Sequence, residues 1–152
     1  MKIGFDLDGV LCEINIGLLR IIDNLTGSAK TTAEEWYYRQ RPTLLNPENY
    51  TTKEDEYYII TCRPRTYNDI TIEWAEKYCP NAKNLFIIGK GTLDQNEPQK
   101  VIDWLNINAE EKAQTINLLK LEVFFEDSPT IVSKLRLLCP NTKTVCYGGR
   151  IE

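Results

Sequence analysis

Two carboxylates stand at the end of the chain's first apolar run, Lys2-Ile3-Gly4-Phe5-Asp6-Leu7-Asp8-Gly9-Val10-Leu11-Cys12. Such a run reads as a buried strand whose carboxyl end carries the acids. Residues i and i+2 of a strand point to the same side. Asp6 and Asp8 are therefore expected to face one site, with Gly9 allowing a sharp turn directly after them. Two anions at the mouth of an apolar strand repel each other unless a cation sits between them. A hard, oxygen-seeking ion of the Mg²⁺ type suits that position.

Two further apolar runs end in polar clusters: Tyr57-Tyr58-Ile59-Ile60 in Thr61-Cys62-Arg63, and Glu122-Val123-Phe124-Phe125 in Glu126-Asp127. Histidine is absent, which removes Ser-His-Asp and Cys-His catalysis and His-ligated zinc together. Acid–base work falls to Asp, Glu, Lys, Tyr or Cys. Cys62 lacks the Cys-x5-Arg arrangement that would make it a nucleophile, because position 68 is Asn; it reads as a small buried residue. Gly89-Lys90-Gly91-Thr92 lacks the GxxxxGK[ST] spacing of a phosphate loop and reads as a polar turn.

The elements that must position these groups follow from the pattern. A length of 152 residues, 42% apolar and 26% charged, fits one domain with a small insertion. A formal charge of −4 offers no basic field for duplex nucleic acid or a membrane surface. Neither a signal peptide nor a transmembrane stretch is expected. The five scattered cysteines read as reduced thiols of a cytoplasmic protein.

Helical spacing runs from Glu13 to Leu25, with Gly27 as its stop. A capping box at Thr31/Glu34 or Thr32/Glu35 opens a short helix through Gln40, and Asn46-Pro47 is a turn. Residues 13–55 thus read as a small helical insertion. Strands are predicted at Tyr57–Thr61, Asn84–Gly89, Glu122–Phe125 and Thr142–Tyr147. Helices are predicted around Ile70, Trp74 and Tyr78, over Ala109–Leu121, and over Pro129–Leu138. Residues 90–108 read as a polar excursion with a short helix near Val101–Leu105. Alternating strands and helices predict an α/β fold, a Rossmann-like three-layer parallel sheet that gathers the strand-tip clusters at one edge.

The order of these clusters resembles the haloacid-dehalogenase-like (HAD) superfamily of phosphatases. The DxDx[VT] motif stands as Asp6-Leu7-Asp8-Gly9-Val10, the strand-two Thr as Thr61, and the acidic pair as Glu126-Asp127-Ser128-Pro129. The resemblance covers residues 1–12 and about 57–147. It implies a core of residues 1–12 and 56–152, with 13–55 as a cap over the site. It further implies hydrolysis of a phosphomonoester through an aspartyl-phosphate, with Asp6 as nucleophile and Asp8 as general acid and then base. Mg²⁺ would be held by the Asp6 carboxylate, the Asp8 backbone carbonyl and the Glu126/Asp127 pair, the inner-sphere acid of that pair being open.

Phosphate is assigned to Thr61 and Cys62, where neighbouring N–H groups assist, to the motif-three Lys, and to Arg63, whose alternative is a pair with a surface acid. Lys112 is chosen for that Lys over Lys120, Lys100 and Lys90. Dehalogenases lack an acid at the second Asp position, so Asp8 favours phosphate chemistry. The Asp-Leu-Asp-Gly-Val-Leu string, the cap position and the acidic pair are similar to the 5'(3')-deoxyribonucleotidase branch, which makes a small-molecule nucleotide the leading substrate. A sugar phosphate, a nucleic-acid terminal phosphate, or a non-catalytic phosphate- and Mg²⁺-binding regulator are the alternatives. In the insertion, Trp36, Tyr37, Tyr38, Arg39 and Arg41 offer aromatic and cationic groups for a base and phosphate; alternatively Trp36 packs the insertion onto the core.

Overall fold

The computed structural model describes residues 1–90 and 93–148. Gly91 and Thr92 of the turn after the third strand, and Gly149, lie outside them. Five strands, β1 (Lys2–Phe5), β2 (Glu56–Thr61), β3 (Asn84–Ile87), β4 (Val123–Glu126) and β5 (Lys143–Cys146), form one sheet in the order β3-β2-β1-β4-β5. Every pairing is parallel. This is the α/β, Rossmann-like architecture expected from the sequence.

β1 is central because it is apolar on both faces. Ile3 pairs with Tyr57 on one side and Val123 on the other. Gly4 is required by close packing: a Cβ there would lie 2.5 Å from Leu121 Cδ1 and 2.6 Å from Phe124 Cδ2. Alternation in β2 sorts its side chains between the two cores. Tyr57 and Ile59 join Phe5, Leu7 and Trp74 under α3 (Asn68–Tyr78). Tyr58 and Ile60 join Phe124, Ile116 and Leu135 under α4 (Pro98–Leu119) and α5 (Pro129–Leu138), with α1 and α2 lying in the inserted segment. Each fully buried Ile contributes about 1.5–3 kcal/mol. No helix among the described residues is long and apolar enough to cross a membrane.

The inserted helices leave and rejoin the core through one neck, at residues 11–13 and 42–44. Glu13 N donates to Pro42 O (2.9 Å), and Leu44 N donates to Leu11 O (2.8 Å). Beyond the neck, α1 (Ile16–Asp23) and α2 (Gly27–Arg39) pack Leu19, Ile22 and Tyr37 against each other. The helix expected from Glu13 starts later, because the Asn15 side chain accepts from Leu18 N (2.9 Å) and caps it. Gly27 opens α2 at φ +58 instead of stopping α1, and the expected capping-box residues Thr31, Thr32, Glu34 and Glu35 lie inside α2. The turn at Asn46 is a single 3-10 turn over Pro47–Asn49.

The largest departure is α4. The expected short helix near Val101 and the helix from Ala109 are one helix of 22 residues. Asn108, which reads as polar loop, is buried in mid-helix. Its amide donates to Trp104 O (2.7 Å) and Lys90 O (3.2 Å), and its Oδ1 accepts from Lys90 N (2.9 Å). The side chain satisfies the loop after β3 while the helix continues past it.

Candidate active site

Parallel pairing places the carboxyl ends of β1, β2 and β4 side by side. Asp6 N donates to Phe125 O at 2.9 Å, carrying the β1–β4 ladder one residue past the strand. The chain then turns back: Leu11 N and Cys12 N both donate to Leu7 O, at 2.9 and 3.0 Å. Gly9 sits in that turn at φ +88, where a Cβ would lie 2.1 Å from Asp127 Oδ2. Glycine is therefore needed twice over, for the left-handed backbone and for the space that Asp127 occupies.

The buried centre is a chain of charges. Lys112 projects from the apolar face of α4 and is 2% exposed. Its Nζ lies 3.0 Å from Asp6 Oδ1 and 2.5 Å from Glu126 Oε2. Glu126 Oε1 also accepts from Ser128 N at 3.2 Å. Ser128 caps α5, its Oγ accepting from Ile131 N at 3.2 Å. Carboxylate oxygens of Asp6, Glu126 and Asp127 lie within 4.8 Å of one another, and all three residues are buried. This donor set, hard oxygens only, can hold a divalent ion such as Mg²⁺ or Ca²⁺.

The two acids that share Lys112 are not equivalent. Burial, then the charge of Glu126, pushes the Asp6 carboxyl up to about 7, against the opposing pull of Lys112. For Glu126 burial also pushes upward, but Lys112 and hydrogen bonds outweigh it and leave the carboxyl below its ordinary value. Burial lowers Lys112, yet Asp6 and Glu126 outweigh it and hold the ammonium well above its usual range. Glu126 and Lys112 are thus the ion pair, and Asp6 is the acid that can still take a proton near neutrality.

The remaining site residues fall into place around this centre. Thr61 is buried at the tip of β2, its Oγ1 accepting from Arg63 N at 3.1 Å. Burial pushes the Cys62 thiol up to about 12, so it stays protonated and is no nucleophile. Arg63, assigned to phosphate from sequence, is instead turned onto Asp8: Nη2 to Oδ1 is 2.7 Å and Nε to Oδ2 is 3.2 Å. The Asp8 carboxylate therefore belongs to Arg63, while the acidic cluster is made of Asp6, Glu126 and Asp127.

Above Asp6 and Lys112 lies a cavity of about 430 Å³. Asp8, Thr61, Cys62 and Arg63 also line it. Asp127 lines a second cavity, of about 760 Å³, on the other side of the β1 turn with Gly9 and Tyr147. The wall of the first cavity includes residues the sequence did not single out, among them Tyr67, Arg65 and Trp104. Tyr67 lies in the 3-10 turn Arg65–Tyr67 between β2 and α3, and its place in the loop past a strand tip is the signal that would have found it. Tyr38 and Tyr67 pair with ring centroids 5.1 Å apart, and Tyr67 Oη donates to Glu34 Oε2 at 2.8 Å.

The inserted aromatics divide differently from expectation. Trp36 is 53% exposed and does not pack onto the core; its neighbour Tyr37, 1% exposed, is buried within the insertion against Leu19 and Ile22. Arg39 pairs with Glu73 at 3.1 Å. Arg41 stacks 3.7 Å from the Tyr37 ring centroid, and Trp74 Nε1 donates to its carbonyl at 3.0 Å. Both arginines brace the inserted segment against α3 and neither lines the cavity.

No family model and no curated relative matches the sequence. Among solved structures, a hydrolase from Streptococcus pneumoniae TIGR4 superposes with TM-score 0.58 at 9% identity, covering 96% of this chain and 91% of that one. A chain of the Pnkp1/Rnl/Hen1 RNA repair complex superposes with TM-score 0.47 at 13% identity, covering 95% of this chain and 42% of that one. The first likeness shows a shared α/β fold.

Proposed function

We propose that this chain is a Mg²⁺-dependent phosphomonoester hydrolase of the HAD type, acting through an aspartyl-phosphate on Asp6, with a nucleotide as substrate and residues 13–55 as its cap. One observation carries the reading: Asp6, buried at the tip of the central strand, touches Lys112, has its carboxylate within 4.8 Å of those of Glu126 and Asp127, and lines the cavity of about 430 Å³. The fold shared with a protein described as a hydrolase supports it.

The residues present divide the chemistry. Asp6 Oδ forms the bond to phosphorus as the ester oxygen leaves. Asp8, the acid beside it, protonates that oxygen, then takes a proton from the water that frees phosphate and regenerates Asp6. Lys112 uses donors on Asp6 and Glu126, fixing the nucleophile's orientation. When bound among Asp6, Glu126 and Asp127, Mg²⁺ supplies the positive charge that offsets repulsion between an anionic nucleophile and an anionic phosphate. The Tyr38–Tyr67 pair gives a base a flat apolar wall, with Arg65 beside it.

A panel of nucleoside monophosphates, sugar phosphates and aryl phosphate tests this. Turnover is expected with Mg²⁺, highest on a nucleotide, lost in EDTA and restored by Mg²⁺. Turnover untouched by EDTA would remove the metal from the scheme. Binding of Mg²⁺ and phosphate without any turnover would favour a non-catalytic regulator.

Metal binding is also expected to release a proton in a defined range. Asp6 holds a proton below about 7 and must lose it to act as a ligand. Calorimetry in buffers of different ionisation enthalpy should therefore show close to one proton released at pH 6 and close to none at pH 8.5. Equal release at both pH values would show that Asp6 is not a ligand.

A further inference from the structure

We infer that Arg63 is the positioning residue of Asp8, and that Tyr38, reaching in from the inserted segment, holds Arg63 in that role. The inference rests on the hydrolase reading above and adds a residue pair to it. The side chain of Arg63 has 0% exposure, and its planar fork is committed to protein groups. Nε and Nη2 make the two bonds to Asp8. Nη2 also reaches Cys12 Sγ at 3.5 Å, and Nη1 reaches Thr71 Oγ1 at 3.5 Å. Thr71 is itself fixed, donating from Oγ1 to Tyr67 O at 2.9 Å. Four of the five N–H groups of this guanidinium thus face protein partners, and the Nε/Nη2 edge that could fork a phosphate is taken by Asp8.

The fourth neighbour comes from a distant part of the chain. Arg63 Cζ lies 4.8 Å from the centroid of the Tyr38 ring, on α2. Cys12 Sγ meanwhile lies 3.3 Å from Asp8 Oδ1. Asp8 is thus gripped by a fork from the β2 tip, and the fork is packed by an aromatic face from the inserted helices. A buried guanidinium with such partners is stable only with its carboxylate in place. The geometry fixes both the rotamer and the reach of Asp8 toward the cavity. It also links the inserted segment to the acid without Arg39 or Arg41 lining the cavity.

The consequence is specific to leaving groups. An aryl oxygen departs readily as an anion, whereas an alkyl oxygen needs a proton from Asp8. The experiment measures kcat and KM on p-nitrophenyl phosphate and on a simple alkyl monophosphate, with Mg²⁺. The proteins are wild type, Arg63→Lys, Tyr38→Leu, Asp8→Asn and the Arg63→Lys/Asp8→Asn double variant. Arg63→Lys is expected to lower kcat/KM on the alkyl ester by about 100-fold and on the aryl ester by less than about fivefold, because kcat/KM reads the transfer to Asp6 and not the water step that both esters share. The double variant should be no slower than Asp8→Asn alone, because the arginine acts through that acid. Tyr38→Leu, which leaves the charged pair intact, should show a smaller split of the same sign and carries the test if Arg63→Lys does not fold. Equal losses on both esters, or additive losses in the double variant, would overturn the inference while leaving the hydrolase reading standing. A wild type inactive on both esters would overturn both.

Discussion

Asp6→Asn is expected to lower kcat by roughly 10⁴-fold or more, on every ester the wild type accepts, while the chain stays folded. Asparagine keeps the shape and still accepts from Lys112 Nζ, which lies 3.0 Å from Asp6 Oδ1. What it loses is the nucleophilic oxygen. The same substitution should flatten part of the stability–pH curve. The folded-state pKa of Asp6 is raised from 3.8 to about 7. Between those values the native protein binds more protons at this site than the unfolded chain does, so Asp6 makes metal-free stability fall as pH rises through the window. Asn cannot titrate, and its curve should lack that decline. Urea denaturation at several pH values in EDTA checks this. A variant with wild-type turnover, or with an unchanged pH slope, would break the assignment.

Lys112→Met should act chiefly on stability. The substitution keeps the length of the side chain on the apolar face of α4 but leaves Asp6 and Glu126 buried without their cation. Removing one partner of a buried pair costs about 3–5 kcal/mol. The loss should be greatest in EDTA at pH 8 and shrink towards pH 5, where Asp6 can be neutral. Mg²⁺ should raise the melting temperature of Lys112→Met more than that of wild type, because the ion replaces missing positive charge beside the same carboxylates. Thermal denaturation of both proteins with and without Mg²⁺ measures this. A variant as stable as wild type in EDTA would mean that the buried charges are held by something other than Lys112.

The sheet was legible because its signals are local. Ile3-Gly4-Phe5 and Tyr57-Tyr58-Ile59-Ile60 are apolar on both faces, and each ends in a polar tip where the strand ends. The placement of Lys112 was also within reach. It lies three residues after Ala109 and four before Ile116, on the stripe that α4 buries. A lysine on such a stripe needs a carboxylate partner, and the acids at the tips of β1 and β4 provide it.

What the sequence hid were pairings across the chain. Arg63 follows the β2 tip and reads as a phosphate ligand until Asp8, 55 positions away, claims its Nε/Nη2 edge. Asn108 reads as loop because its hydrogen bonds run to Lys90, far from its own helix. Trp36 reads as core by size, yet α2 turns it to solvent and buries its neighbour Tyr37, whose hydroxyl accepts from Asn15 N at 2.8 Å. In each case the residue type was clear and the partner was not.

Acid quenching during turnover, followed by mass spectrometry of the peptide that contains β1, tests the role of Asp6 most directly. With Mg²⁺ present, one phosphoryl group should be found on Asp6, and none in EDTA or in Asp6→Asn. A phosphoryl group on any other residue, or an unmodified peptide at every quench time while phosphate is being released, would contradict it.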